Sequence, residues 1–401
     1  MDFQLEKSQV LWEFAAAIGG GCMRDIKEIQ RVWAAALGET PGECGPKDAY
    51  PFSSCAKNAV ILCTLVHTEG SFYRRPGARM LVTQDGRCHG LISGGCLENH
   101  IRDRALETLQ TRTPALMAID MTGEDDSYFG YGSGCPGKVW VLLEPIFEPL
   151  DDQDRNHRLG LMAGEATWQA LIFEADLKAL VGRRILWTPV GGLSGASGLP
   201  DGLKCSLQEH CLQKSEGALT WEATGATDCG GSLVRYFIER LRKKIHLHLF
   251  GAGPDADAVY ELALTLGWDV SIYDHRQVLL DKQRFPAALS LTHTYYEDDW
   301  NAPERSPEDP CVVMTHNLPR DLLLLPKLLS SRCSYVGVLG AQKRAALIYD
   351  SLRQQGFSEV DIKRIRSPIG IDIGARDPWT IALSIVAEIQ AYIYRLATDK
   401  F

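Results

Sequence analysis

The sequence predicts an α/β protein, with a mixed α/β domain in the N-terminal half and a C-terminal three-layer domain built on a mainly parallel sheet. Three observations lead there. From Ile245 onward, strand-like runs alternate with helix-like stretches, the pattern of repeated βαβ units. The run 245–250 (IHLHLF) passes through Gly251-Ala252-Gly253 into a helix-like stretch, the order a tight turn takes between a parallel strand and its crossover helix. Between residues 59 and 143, short β-rich runs are separated by Gly and Asp-Gly turn signals, as in hairpins.

Residues 1–22 end in Gly19-Gly20-Gly21-Cys22 and are set apart as an extension, with Met23 as a second candidate start. The first domain is assigned to 23–240. Ile26, Ile29, Trp33 and Leu37 recur at helical spacing, so 24–37 is an amphipathic helix. Residues 59–67 (AVILCTLVH) form a strand, Arg74-Arg75-Pro76-Gly77 a turn, and 78–83 a second strand. Asp85-Gly86 turns the chain back along 87–93, and Gly94-Gly95 hands it to a helix over 97–109. Strands at 115–121 and 138–143 complete a small mixed sheet, with a glycine-rich loop at 130–137 between them. Residues 151–240 read less clearly. Strand-like pieces such as 184–187 alternate there with Gly191-Gly192-Leu193-Ser194-Gly195, and the segment is assigned to the first domain.

The second domain is assigned to 241–401. Its strands fall at 245–250, 268–274, 311–315 and 335–339, and its helices at 255–266, 320–329 and 341–354. A last helix over 378–396 starts with proline after Asp377, as helices often do.

The 401 residues fit two to three domains, and 45% hydrophobic with 23% charged residues is a globular composition. A net charge of −9 offers no electrostatic footprint for nucleic acid, and no apolar run is long enough to span a bilayer. The first residues lack the basic start and apolar centre of a secretory signal, so a cytoplasmic location is expected. In that compartment the 12 cysteines are core residues or reactive thiols rather than disulfides, and none stands in a Cys-x-x-Cys pair.

Three segments carry residues suited to chemistry. Gly251-Ala252-Gly253-Pro254-Asp255-Ala256, after a strand and opening a helix, matches the dinucleotide fingerprint of a Rossmann-like domain. Gly251 allows the turn, Gly253 lets a phosphate approach the backbone, and Asp274 ends the next strand, where an acidic residue binds ribose hydroxyls. The same pattern also fits a Rossmann domain that has lost or changed its nucleotide. His316 stands at the C-terminal end of the strand 311–315, the edge where ligands of open α/β sheets gather.

Ser93-Gly94-Gly95-Cys96 puts a thiol at a helix start, where amides and the macrodipole favour a thiolate or cradle a phosphate. A packed, inert Cys96 fits the sequence equally well. In Gly132-Ser133-Gly134-Cys135-Pro136-Gly137-Lys138 the spacing resembles a P-loop, but Val139 replaces the required hydroxyl and a strand follows, which excludes an ATPase. What remains is Cys135 in a glycine loop, either a soft ligand for a metal or sulfur, or a tolerated cysteine in a turn. Gly-x-Ser-x-Gly and His-Glu-x-x-His signatures are absent, and the ten histidines are scattered.

These pieces stand in the order of a known family. Residues 63–96, with the Arg-Pro-Gly-Ala turn, the Asp-Gly hairpin and the Ser-Gly-Gly-Cys turn, resemble the N-terminal domain of xanthine dehydrogenase accessory (XdhC/CoxI) proteins. Gly134-Cys135-Pro136-Gly137 ahead of Leu143-Glu144-Pro145 is similar to that family's Cys-Gly-Gly turn, with Pro136 in place of a glycine. Phe250-Gly251-Ala252-Gly253-Pro254, Asp274-His275-Arg276, Met314-Thr315-His316-Asn317, Tyr335-Val336-Gly337-Val338-Leu339-Gly340, Ser367-Pro368-Ile369-Gly370 and Asp372-Ile373-Gly374-Ala375-Arg376 resemble its later landmarks.

The resemblance implies a chaperone that binds the molybdenum cofactor, as molybdopterin or its nucleotide form. It would hold the cofactor while a cysteine desulfurase supplies sulfur, and deliver it to a molybdenum hydroxylase apo-enzyme. It also implies a homo-oligomer, most simply a dimer. Under it, Cys135 and Cys96 are molybdenum-proximal thiols, Gly94 and Gly95 with Arg74, Arg75 or Arg79 serve the cofactor phosphate, and Gly251, Gly253, Asp274 and His316 line a crevice for a pterin or nucleotide. The rival readings are an NAD(P)-dependent oxidoreductase using the same crevice and a scaffold that only joins partners.

Overall fold

The computed structural model describes residues 23–37, 59–122, 137–147, 150–161, 167–217, 222–229, 231–241, 244–296, 309–331, 333 and 335–398. They divide into two compact units, one holding the described residues up to 241 and the other running from Lys244 to Leu396.

The first unit is built on two five-stranded sheets. In the first, β1 (Val60–Gly70) is central, with β2 (Arg79–Thr83) and β3 (Cys88–Gly90) on one side and β5 (Gly137–Ile146) and β4 (Ala115–Asp120) on the other. Every pairing in it is antiparallel, so the sheet is not mixed as its sequence suggested. The continuous apolar run of β1 follows from burial on both faces. Ile61, Cys63 and Leu65 point into one core, packed by α2 (Glu98–Thr111) through Ile101 and Ala105. Val60 and Leu62 point into another, packed by α1 (Met23–Ala36) through Ile26, Ile29 and Trp33.

The short helix α3 (Asp152–Arg158) then leads into the second sheet, ordered β8 (Gly192–Ser194), β7 (Arg184–Thr188), β6 (Trp168–Ala175), β10 (Leu233–Arg240) and β9 (Glu222–Asp228). One face of it packs on α4 (Asp201–Gly217) through Leu203, Leu207 and Cys211. Val66 and Leu142 of the first sheet meet Leu171, Phe173 and Phe237 of the second in a shared apolar cluster. Thus the segment that sequence resolves least is a sheet in its own right.

The second unit holds a six-stranded sheet in the order β13 (Ser290–His293), β12 (Asp269–Asp274), β11 (His246–Phe250), β14 (Cys311–Val313), β15 (Val336–Val338), β16 (Ile365–Arg366). All five pairings are parallel, and the order 3-2-1-4-5-6 is that of a Rossmann sheet. On one face, α5 (Asp255–Thr265) and α8 (Pro378–Thr398) bury Val259, Tyr260, Ile385 and Ile389. On the other, α6 (Leu318–Ser330) and α7 (Gln342–Gln354) bury Leu324, Leu328, Ile348 and Leu352. The strand order reverses between β11 and β14. Their C-terminal ends therefore open the crevice at which such folds bind ligands.

Candidate functional site

The crevice is shaped by backbone contact. Gly251 has φ 119°, and a Cβ there would stand 2.4 Å from the carbonyl oxygen of Met314. Only glycine lets the turn after β11 pass the end of β14. Gly253 is different. Its φ is not left-handed, and a Cβ would meet nothing nearer than His316 Cδ2 at 3.6 Å, so the fold itself does not demand glycine there.

Asp274 ends β12 as expected, but its carboxylate is only 1% exposed and is already engaged. It accepts hydrogen bonds from the Ala252 N–H at 2.6 Å, from the Arg276 N–H at 2.7 Å, and from Arg276 Nη2 at 2.8 Å. Burial pushes the Asp274 carboxyl up, yet the bonds from Arg276 and Ala252 outweigh it and hold its pKa below the usual aspartate range. Asp274 thus fixes the glycine turn and aims Arg276, a role different from the ribose acceptor expected of it. The partly exposed Arg276 side chain is the group left facing the crevice edge.

His316 does stand beside Gly253. It has φ 55°, and its Nε2 pairs with Asp255 at 3.1 Å. Arg284, which sequence did not single out, donates to the carbonyls of Ala252 at 2.7 Å and Gly253 at 2.6 Å and pairs with Asp257. Asp255 and Asp257 occupy the first turn of α5 and Pro254 its N-cap. Carboxylates already sit at the positive helix end, and proline removes one amide donor, so this terminus is a weaker phosphate cradle than its glycines suggest.

In the first unit, the turn Ser93-Gly94-Gly95-Cys96 is held from within. Glu98 accepts from the N–H groups of Ile92 at 3.1 Å and Ser93 at 2.7 Å, and Ser93 Oγ accepts from the N–H groups of Gly95 at 3.2 Å and Leu97 at 3.0 Å. A Cβ on Gly94 would meet the Tyr73 ring at 3.7 Å, which places the turn against the exposed Tyr73, while Gly95 has φ 109° and open space around it. Cys96 is half-buried and packs against the α2 core, two residues ahead of the helix start. Arg74 pairs with Asp25 at 2.8 Å, and Arg75 is half-buried in the same turn.

Arg79 requires a correction. It is 3% exposed, ion-paired to Glu239, and donates to the carbonyls of Arg158 at 2.6 Å and Gly77 at 2.8 Å. With Nε and both terminal nitrogens bound inside the fold, it joins two strands rather than meeting a cofactor phosphate. Cys135 lies outside the described residues, as does most of its loop.

One donor set escaped sequence reading. His246, His248 and Asp309 each bring a ligand-type atom within 4.8 Å of the others, at the N-terminal edge of the parallel sheet, opposite the crevice. Two imidazoles and a carboxylate suit a divalent transition ion. The histidines also form a hydrogen-bonded row across the sheet, His246 to Ser271 at 2.9 Å and His248 to Tyr273 at 3.0 Å, which gives them a structural role without a metal. The spacing of two on one strand face was legible; Asp309 is too distant in sequence to be seen.

With this geometry in place, kinship can be weighed. Residues 55–120 match the family described as XdhC and CoxI, and 247–389 match the XdhC Rossmann domain. A protein of Bacillus subtilis (strain 168) named as a probable xanthine dehydrogenase subunit is 31% identical over 329 residues, covering 82% of this chain and 92% of that protein. The chain belongs to the XdhC and CoxI family. A second XdhC relative, the molybdenum cofactor insertion chaperone PaoD of Escherichia coli (strain K12), is 24% identical over 335 residues, 82% of each chain. A crystal structure titled a xanthine dehydrogenase, from Bacillus halodurans, is 27% identical with a TM-score of 0.66, covering 93% of this XdhC/CoxI chain and 96% of that one. Among the described residues no helix is long and apolar enough to cross a membrane.

Proposed function

We propose that this protein is a maturation chaperone that carries the molybdenum cofactor as cargo. It holds the cofactor while a cysteine desulfurase supplies the terminal sulfur, and passes it to a molybdenum hydroxylase apo-enzyme. The observation that carries the reading is the match to an insertion chaperone along 82% of both chains, so that both units are shared rather than one fold alone. The crevice supports it. Several of its charged groups hold the turn: Asp274 binds Ala252 and Arg276, and Arg284 binds two carbonyls. Among the described residues the crevice offers no proton relay for hydride chemistry. The engaged Asp274 also counts against an NAD(P) ribose as its occupant.

Cys135 and Cys96 are assigned as the thiols nearest the molybdenum, and the carrier acts in the cytoplasm as a homodimer. Anaerobic purification from cells that make the cofactor, followed by metal and pterin analysis, tests this. The wild type is expected to retain molybdenum and pterin together. Cys135→Ser keeps the shape and removes the soft ligand, so its molybdenum content should collapse while its circular dichroism is unchanged. Full molybdenum in that variant removes Cys135 from the site, and a wild type empty of both removes the carrier reading.

A further inference from the structure

The first unit contains a cavity of about 880 Å³ to which none of the expected site residues contributes. Residues of both sheets line it. Strand β5 supplies Glu144, β7 supplies Arg184, α3 supplies Arg158, and the turn after α2 supplies Arg112; Arg183 and Phe147 complete the wall. Its size is within the roughly 300–1,000 Å³ of small-molecule sites. Among the described residues, four arginines line it against two carboxylates, Glu144 and Asp154.

The charge is not consumed by the fold. Glu144 is 3% exposed and takes both terminal nitrogens of Arg184, at 2.6 and 2.7 Å, and Arg158 Nη1 at 3.1 Å, so two guanidiniums share one carboxylate. Arg184, its side chain 10% exposed, keeps a buried Nε–H with no hydrogen-bond partner among the described residues. A buried donor left unmatched costs free energy unless an acceptor arrives. Burial, and then the neighbouring Arg184, press the Arg158 pKa down, against the opposing pull of Glu144 and Asp154. Arg112 is exposed and lies over the Phe147 ring, 4.7 Å from its centroid. The outer face of that stacked pair is a platform for a flat group whose charged end reaches the arginines.

We propose that this cavity binds the phosphate or diphosphate end of a small molecule, with Arg158 and Arg184 as the anion contacts and Arg112 with Phe147 flanking the ring-bearing part. Guanidinium forks suit phosphate oxygens. Identifying that end with the phosphate of the molybdenum cofactor rests on the carrier reading above. A free nucleotide is the other source of the same chemistry.

The test uses the full chain and inorganic pyrophosphate, titrated by calorimetry at constant ionic strength against sodium chloride. Saturable binding is expected. Removal of one charge-assisted contact in Arg158→Ala should weaken it roughly tenfold to a hundredfold. Arg112→Ala, an exposed change that leaves the fold alone, should weaken it less. No saturable heat beyond the salt control, or equal affinity in the wild type and both variants, overturns the site. Pterin retention is then measured in Arg158→Ala. Loss of pterin together with pyrophosphate supports the cofactor phosphate as occupant; full retention overturns that identification and assigns the cavity to a free nucleotide. If the wild type carries no pterin yet binds pyrophosphate, the carrier reading fails while the anion site stands.

Discussion

Residues that sequence singles out for ligands turn out in two cases to serve the fold. Arg79 and Asp274 stand out for their charge and their place beside turns, and both places are right. What sequence hides is burial, which decides whether a charge faces a ligand or another side chain. Arg79 finds Glu239, 160 residues along the chain, and no local pattern foretells that. Asp274 finds Arg276 only two residues on, a pairing legible in Asp274-His275-Arg276 itself. Glu144 likewise depends on Arg184 and Arg158, 40 and 14 residues away.

Two predictions belong at this scale. Glu144→Ala leaves the nearly buried Arg184 and the partly exposed Arg158 without their shared counter-charge, so it should cost about 3 kcal/mol in denaturant unfolding. For pH, Asp274 and Glu144 both have folded pKa values below their unfolded ones; at Glu144 burial pushes up, and Arg184 foremost outweighs it. Such groups add stability that is fully present above the unfolded pKa, near 4, and is lost as pH falls through the folded value. The Asp274 and Glu144 contribution should therefore hold between about pH 7 and 5 and drop below about pH 4. Burial lowers the folded pKa values of His67, His157 and His275, so these already draw the total down as pH falls below about 6.5. Asp274→Asn should flatten that acid limb, and an unchanged slope contradicts the role given to Asp274.

Among the elements, the parallel strands and crossover helices of the second unit were legible because continuous apolar strands and a Gly-rich turn are strong local signals. The edge strands β13 and β16 were not; they are four and two residues long and carry little periodicity. In the middle segment, β6 and β10 had the composition of buried strands, but glycine loops between them masked their pairing. The direction of the first sheet was not legible, because pairing direction depends on which strands meet. β1 pairs with β5 across most of the domain, and both neighbours run against it.

The two glycines of the turn after β11 give an element-level test. Gly251→Ala forces a Cβ to 2.4 Å from the Met314 carbonyl at φ 119°, so it should destabilise the second unit by about 3 kcal/mol. Gly253→Ala meets only an ordinary 3.6 Å contact and should leave stability within about 1 kcal/mol while still narrowing the approach to the backbone. Equal losses in the two variants contradict the separation of a folding glycine from a ligand glycine.

For the whole molecule, the motif order from the Arg-Pro-Gly-Ala turn to Asp372-Ile373-Gly374-Ala375-Arg376 was enough to point to the family, and matches over both units establish it. Function at this scale is transfer, so binding by either unit is necessary without being sufficient. Gly253→Asp puts a side chain and a negative charge where the backbone approaches a ligand, and a carrier altered in this way should neither load nor deliver. The most direct test is to incubate apo-hydroxylase with anaerobically loaded protein and a sulfur donor, following hydroxylase activity against molybdenum remaining on the carrier. Activity should rise in step with molybdenum lost by the wild type and stay at background with Gly253→Asp. Full activation by Gly253→Asp, or by wild type that has never carried molybdenum, contradicts the carrier account.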